Sequence, residues 1–270
     1  MARSFPRVHL IANQTNSGFS TACNQALALA RGRYLLLLNP DTIVPPGALA
    51  RLVEVADQHP EAGIIGPTIR PVNGKSYASF CPFPSWESAF RHYTLAKPLL
   101  RLLPRSSWRP ISDRPTTSGM VSGACLLIRR VVFEQIGGLD ERYFLFYEDF
   151  DYCRRAVREG WKILFTQRTF VFHHWGKSTA QEHQSWVGFR SIEGLLRYLE
   201  GEHPRGSRFL KPLFKLCFLG WVVFQLVASG AKTLGYRMMT KRAGKVAKHR
   251  SQFERDAIFL RRFTGKFLRL

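Results

Sequence analysis

Tyr34-Leu35-Leu36-Leu37-Leu38-Asn39-Pro40-Asp41 is the stretch that decides the fold. Its apolar run is short and unbroken, with Arg31-Gly32-Arg33 before it and Asn-Pro-Asp after it. A run of that length between turn signals reads as a strand buried on both faces. Such strands belong to parallel sheets covered by helices, and ligands of open sheets of this kind bind outside the carboxyl ends of the strands. Asn39 and Asp41 fall at that end. Asn-Pro-Asp is also ordinary turn chemistry, so the segment alone reads either as a plain turn or as a carboxylate presented to a ligand.

The flanking sequence extends the pattern. Val8 to Ala12 predicts a strand, and Asn16-Ser17-Gly18 a turn that starts a helix from Phe19 to about Ala30. Pro46 to His59 has helical periodicity, with Leu49, Leu52, Val53 and Ala56 on one face, and Gly63 to Gly66 reads as a strand. Between Pro71 and Thr117, prolines interrupt aromatic and basic residues. A stretch this long inside a compact domain is usually functional, and it predicts a partly helical excursion over the active-site face. Gly123 to Ile128 then predicts a strand, Arg130 to Ile136 a helix, and Glu148 to Gly160 another helix. Ile163 to Phe165 and Thr169 to Phe172 read as two short strands, and Gln184 to Glu200 as a helix. Strand–helix alternation of this kind predicts an α/β fold, a mostly parallel sheet flanked by helices.

Composition narrows the partners. The formal net charge is +21, which calls for an anionic partner: nucleic acid, anionic lipid or the phosphates of a nucleotide. The five cysteines form no C-x-x-C pair and are odd in number, which favours reduced thiols in the cytoplasm over a disulfide framework. The apolar run after Arg7 is too short for a signal-peptide core. Leu216 to Ala231 carries no charge and lies between Lys215 and Lys232. It falls short of the roughly twenty residues of a span, so it predicts a flat or re-entrant helix in a membrane interface, with an ordinary core helix and a true span as the competing readings. Arg237, Lys241, Arg242, Lys245, Lys248, Arg250, Arg261, Arg262, Lys266 and Arg269 follow, opposed by Glu254 and Asp256. An apolar helix with a basic tail suits an anionic membrane surface; a solvated basic face is the alternative. Nucleic acid is not expected, because Phe253, Phe259, Phe263 and Phe267 recur at largely helical spacing rather than interleaving with the basic residues along a groove. The predicted division is a catalytic domain over 1–205 and a membrane-associating tail over 206–270.

Against that basic background stands Tyr147-Glu148-Asp149-Phe150-Asp151. Its carboxylates form an acidic first helical turn, or one of them is a general base whose proton affinity is raised by the aromatic residues around it. His173, at the end of a short strand, reads as a satisfied polar residue or as a nitrogen ligand to a divalent ion. Lys177 and Ser178 beyond it are placed to meet phosphate oxygens.

The order of these segments resembles the family 2 glycosyltransferases, and within them the rhamnosyltransferase-like subgroup. The matching residues are Asn16-x-Gly18-Phe19, Asn24, Leu37-Leu38-Asn39-Pro40-Asp41-Thr42, Gly123-Ala124, Gly137-Gly138-Leu139-Asp140-Glu141, Phe144-x-x-Tyr147-Glu148-Asp149-x-Asp151-x-Cys153-x-Arg155, Gly160-Trp161 and His173-x-x-Gly176-x-Ser178. The resemblance implies a GT-A fold and an inverting, metal-dependent transfer of a sugar from a nucleotide-diphosphate donor, dTDP-rhamnose being one of this kind. The acceptor would be a hydroxyl of a lipid-linked or cell-surface polysaccharide at the inner face of the cell membrane. It implies Asp149 as general base with Glu148 orienting it or the acceptor, and Asp41 and His173 as ligands of Mg²⁺ or Mn²⁺. Asn39 stands where many members carry a first Asp, and Asn16, Gly18, Asn24 and Asn39 fall on the nucleotide-sugar side. Relative to the family pattern the chain starts at what resembles the third strand. This implies an N-terminally truncated GT-A sheet whose missing strands a partner chain would supply, the alternative being an inactive remnant or one half of a split enzyme.

Overall fold

The computed structural model describes residues 5–72, 79–94, 113–174, 184–238 and 243–270. They form two compact units. One takes the described residues of Met1–Phe83 and Arg109–Ser178, the other those of Pro84–Trp108 and Thr179–Leu270.

In the first unit the chain runs through α1 (Phe19–Leu29), β1 (Tyr34–Leu38), β2 (Thr42–Ile43), α2 (Ala48–Gln58), β3 (Ala62–Pro71) and β4 (Phe80–Pro82). It returns as β5 (Gly119–Val121), β6 (Cys125–Arg129), α4 (Arg130–Ile136), α5 (Glu148–Arg158) and β7 (Lys162–His173), α3 belonging to the second unit. The main sheet has the order β1-β6-β3-β7-β2, and β4 pairs with β5 in a small separate sheet.

This is the expected α/β class, with one correction: the sheet is mixed rather than mostly parallel. β3 and β7 pair in parallel, whereas β6 is antiparallel to both β1 and β3, and β2 is antiparallel to β7. The reason lies in what alternation encodes. A helix between two strands permits them to run the same way without requiring it: β1 and β3, on either side of α2, point the same way, whereas β6 and β7, on either side of α4 and α5, are opposed. Alternation does not say which strands become neighbours, and β6, arriving after the long excursion, enters between β1 and β3 in reverse.

Three local expectations change for related reasons. Val8–Ala12 makes no strand, and Val8, Leu10 and Ile11 stand exposed. β1 is at the sheet edge, so Leu35 and Leu37 are buried while Tyr34 and Leu36 are half-buried. The two short strands after Lys162 are one strand, β7, interrupted where its register against β3 jumps between Pro67 and Thr68. Pro67 has no amide to give the ladder, which is where a bulge is tolerated. On one face of the sheet Ile65, Leu127 and Leu164 pack with Leu52, Val55 and Ala56 of α2. Alternation along the strands sends Ile64, Ile128 and Ile163 to the other face, where they too are fully buried.

The second unit contains α3 (Trp86–Tyr93), α6 (Gln184–Glu202), α7 (Pro204–Met238) and α8 (Ala243–Arg269). Its core is an aromatic seam. Phe218 lies 5.4 Å from Phe259 and 5.0 Å from Phe267 between ring centroids, and Phe189 stacks on Phe263 at 5.0 Å. The helical spacing of the phenylalanines in the basic tail is therefore a packing face. The units divide the chain near 178 rather than at 205, because α6 packs on α7 and α8. Pro204–Lys232 is long and apolar enough, by length and composition, to cross a membrane. The expected shortfall counted the uncharged run alone, whereas the helix continues N-terminally through Phe209, Leu210 and Leu213.

Phe267 is fully buried in the seam. Phe267→Ala is expected to destabilise the helical unit by about 3–5 kcal/mol, read as a lower urea midpoint by far-UV circular dichroism.

Candidate active site

The site assembles at the end of β1. Asn39 closes a turn by accepting both the Thr42 amide, at 3.1 Å, and the Thr42 hydroxyl, at 2.6 Å. The turn sets Asp41 beside β7, where β2 pairs Thr42 with His173 and the His174 amide donates to the Asp41 carbonyl at 3.0 Å. The two side chains meet as a result. His173 Nε2 is 3.0 Å from Asp41 Oδ1 and 3.3 Å from the side-chain Nδ2 of Asn39. The side chains of Asp41 and His173 are 9% and 8% exposed, and Asp41 Oδ2 is buried with no hydrogen-bond partner among the described residues. Asn39-Pro40-Asp41 is thus a turn and a presented carboxylate at once. A buried oxygen with spare lone pairs beside an imidazole fits a divalent cation of the Mg²⁺ or Mn²⁺ kind. Among the described residues no third His, Cys, Asp or Glu joins the pair, which leaves further coordination positions to substrate oxygens and water.

The second half of the site is the start of α5. Of its three carboxylates, Asp151 is committed: Arg155 Nε bonds it at 2.8 Å while the same guanidinium holds the carbonyls of Ile136 and Gly138 at 2.8 and 2.7 Å. Glu148 and Asp149 remain. Asp149 Oδ2 accepts the Gly123 amide at 3.0 Å, and its Oδ1 accepts the Phe150 amide at 2.9 Å. Burial raises the proton affinity of Asp149, partly offset by those amides. Glu148 is buried, with Oε2 lacking a partner among the described residues. Burial, and then the charge of Asp149 next to it, lifts its proton affinity well above the ordinary carboxylate range.

One peptide segment ties the halves together. Ala124 accepts the Asn39 amide at 3.0 Å, and its neighbour Gly123 donates to Asp149. The loop before α5 is fixed on α1. Ser20 donates to the Tyr143 carbonyl at 2.7 Å and the Phe19 amide to the Phe144 carbonyl at 2.9 Å. Gly18 makes this approach feasible: its φ is +89°, and a Cβ there would lie 2.7 Å from the Phe144 oxygen. Asn16 accepts the Gly18 amide at 3.1 Å. Asn24 engages both backbone groups of Leu139, each at 2.8 Å, as well as Glu141. Phe146 and Tyr147 both have φ of 71°, a left-handed backbone that non-glycine residues hold only under surrounding constraint.

The structure therefore brings Asn39, Asp41 and His173 together, and places Glu148 and Asp149 one short segment away. Asn16, Gly18 and Asn24 shape the loop that presents Glu148. Gly176, Lys177 and Ser178 lie outside the described residues. The bond from the Gly123 amide to Asp149 was not read from the sequence, where Gly123 stood as the start of a strand and as part of the Gly123-Ala124 match.

The model of the glycosyltransferase-like family 2 matches residues 1–187. Over 197 residues the chain is 32% identical to the N-acetylglucosaminyl-diphospho-decaprenol L-rhamnosyltransferase of Mycobacterium tuberculosis, covering 66% of this chain and 62% of that protein. It is 29% identical over 171 residues to a low-salt glycan biosynthesis hexosyltransferase of Haloferax volcanii, covering 62% and 52% of the two chains. A mannosyltransferase from Pyrobaculum calidifontis, solved with GDP-Man and Mn²⁺, aligns with a TM-score of 0.47 at 15% identity, over 96% of this chain and 70% of that one. The chain belongs to glycosyltransferase-like family 2, and it spans somewhat under two thirds of the mycobacterial relative.

The raised affinity of Glu148 has a stability consequence of definite sign. Unfolded chains release this proton near the ordinary value of 4.5, whereas the folded chain retains it to higher pH. Folding stability therefore falls as pH rises above that value, by at most about 1.4 kcal/mol per pH unit for one group. Glu148→Gln lacks this term. Urea titrations at pH 5, 6 and 7 are expected to show its advantage over the wild type growing with pH.

Proposed function

We propose that the protein is an inverting glycosyltransferase. It takes a sugar from a nucleotide-diphosphate donor, dTDP-rhamnose being the first to test, and passes it to a hydroxyl of a lipid-linked or polysaccharide acceptor at the inner face of the cell membrane. The observation that carries the reading is Asp149, a carboxylate of raised proton affinity held by the Gly123 amide and joined through Ala124 to the turn that bears Asp41. A general base needs a proton affinity brought up toward the working pH and a fixed orientation, and Asp149 has both features.

In this reading Asp149 removes the acceptor proton as the hydroxyl oxygen bonds to the anomeric carbon. The bond from that carbon to the diphosphate breaks on the opposite side, and the nucleoside diphosphate departs with the electron pair. Glu148 orients Asp149 or the acceptor. Asp41 and His173 would hold Mg²⁺ or Mn²⁺, and a bound divalent ion neutralises charge developing on the departing diphosphate. Asn39 sits on the donor side of that pair, while Asn16, Gly18 and Asn24 act by holding the loop in place. The name of the mycobacterial relative specifies a rhamnose transfer and a polyprenyl-diphosphate acceptor, which supports these two as first substrates.

Asp149→Asn is expected to lower kcat by about 10²- to 10⁴-fold while donor affinity, read by calorimetry, is kept; transfer at the wild-type rate would remove the base assignment. Asp41→Asn is expected to raise the Mn²⁺ concentration for half-maximal turnover by about tenfold or more. An unchanged metal titration would move the ion elsewhere.

A further inference from the structure

The helical unit carries a feature that the transfer reaction does not use. One face of α7 is buried in the aromatic seam through Phe214, Phe218 and Val222. Another face presents Phe209, Leu213, Leu216, Val223 and Val227 at intervals of whole turns, with Phe209 80%, Leu216 71% and Val227 66% exposed. Scattered apolar side chains on a surface are ordinary; a continuous stripe along a helix is not. Where Leu216 meets α8 the stripe runs into a groove of about 680 Å³. Leu216 and Leu219 form part of its apolar lining, and Arg208, Lys211, Lys215 and Arg269 are its cations.

Among the side chains that line the groove four are cationic and one, Glu200, is acidic. Glu200 pairs with Lys211 at 2.8 Å, Lys215 donates to the Leu268 carbonyl at 2.9 Å, and among the described residues Arg208 and Arg269 have no ion-pair partner. Elsewhere on α8 Arg250 pairs with Glu254 and Arg255 bonds Ser251 and Gln252; Arg261 and Arg262 have no ion-pair partner among the described residues, but they do not line the groove. Burial and the neighbouring Lys211 charge hold the Lys215 ammonium below its usual proton affinity, a repulsion that an anion would relieve.

We propose that this groove is a binding site for the phosphate headgroup of an anionic membrane lipid, with the lipid chains lying along the exposed α7 stripe. Charge complementarity selects the headgroup, since guanidinium and ammonium groups pair well with phosphate oxygens. The adjoining apolar stripe selects a lipid over a free phosphate. A second copy of the chain would have to bring its own anionic groups to these cations, and its α7 and α8 surfaces are themselves basic. The site deepens the proposed membrane-side transferase by naming what its helical unit holds. It is read without donor or acceptor, so failure of either proposal leaves the other standing.

The test uses the full chain and dihexanoyl-phosphatidylglycerol below its micelle concentration, followed by calorimetry. Expected are saturable binding of one lipid per chain and a loss of about tenfold or more in Arg208→Ala/Arg269→Ala, whose circular dichroism should stay that of the wild type because both side chains are exposed. Dihexanoyl-phosphatidylcholine is expected to bind at least tenfold more weakly, and inorganic phosphate at equal concentration to leave binding unchanged. Asp149→Asn should bind as the wild type does. The proposal is overturned by an absence of saturable binding, by equal affinity in the double variant, or by displacement with inorganic phosphate, which marks a bare anion site. It is also overturned by a lipid-free dimer in sedimentation equilibrium that Val223→Glu disperses, which assigns the stripe to a second copy.

Discussion

Glu148 and Asp149 stand side by side at the start of α5, and their charge is met by backbone amides rather than by a cation among the described residues. Two adjacent carboxylates, one buried and one half-buried, are an unfavourable arrangement in a folded chain. It persists because the surrounding structure constrains it from several sides. Arg155 removes Asp151 from the cluster and pins the loop behind it. α1 fixes the loop through Ser20 and Phe19, and the turn just before β6 contributes the Gly123 amide. The left-handed backbone at Phe146 and Tyr147 is a further local cost at the same point. Strain and raised proton affinity thus coincide at the segment to which general-base chemistry is assigned, a pattern common to working sites.

The sheet explains why distant segments converge. β1, β3 and β7 run in one direction, so the residues after β1 and at the end of β7 come out on one edge. Asp41 and His173 meet there through the β2–β7 pairing. β6 runs the other way, so its beginning lies at that same edge, and this delivers Gly123 and Ala124 between the two groups of side chains. An all-parallel sheet would have sent the start of β6 to the opposite end, and Asp149 would have lost its amide.

Much of this was legible in the sequence, and the reasons for the remainder are specific. The leucine run marked β1 because a short apolar segment between turn residues has few other uses, and Asp41 and the Glu148–Asp149 pair were found because charge density and strand ends are local properties. The insertion of β6 between β1 and β3 was not legible, since neighbour choice depends on tertiary packing that alternation does not encode. Val8–Ala12 carries strand composition without strand structure, because β-propensity reflects a packed surface and no strand partner is offered to that segment among the described residues. Asn24 was grouped with the donor-binding residues on resemblance, whereas its amide is engaged with Leu139 and Glu141. A polar residue on a helix face looks the same in sequence whether it faces a ligand or a loop.

The basic character of the chain is best understood by arrangement rather than by sum. A formal charge of +21 attracts any polyanion, and exposed arginines paired along their own helix add little to a specific contact. What separates one partner from another is where unpaired cations adjoin apolar surface. On α8 Phe259, Phe263 and Phe267 are turned into the core against Phe218 of α7 and Phe189 of α6, which leaves Phe253 as the one exposed phenylalanine of that helix, too few for the row of stacking platforms that a single-stranded nucleic acid would need. On α7 one of two apolar faces points outward, and at Leu216 it runs into a groove holding two arginines without ion-pair partners among the described residues. The same charge with its phenylalanines outside and its leucines inside would have favoured a nucleic acid; this distribution favours an amphiphile.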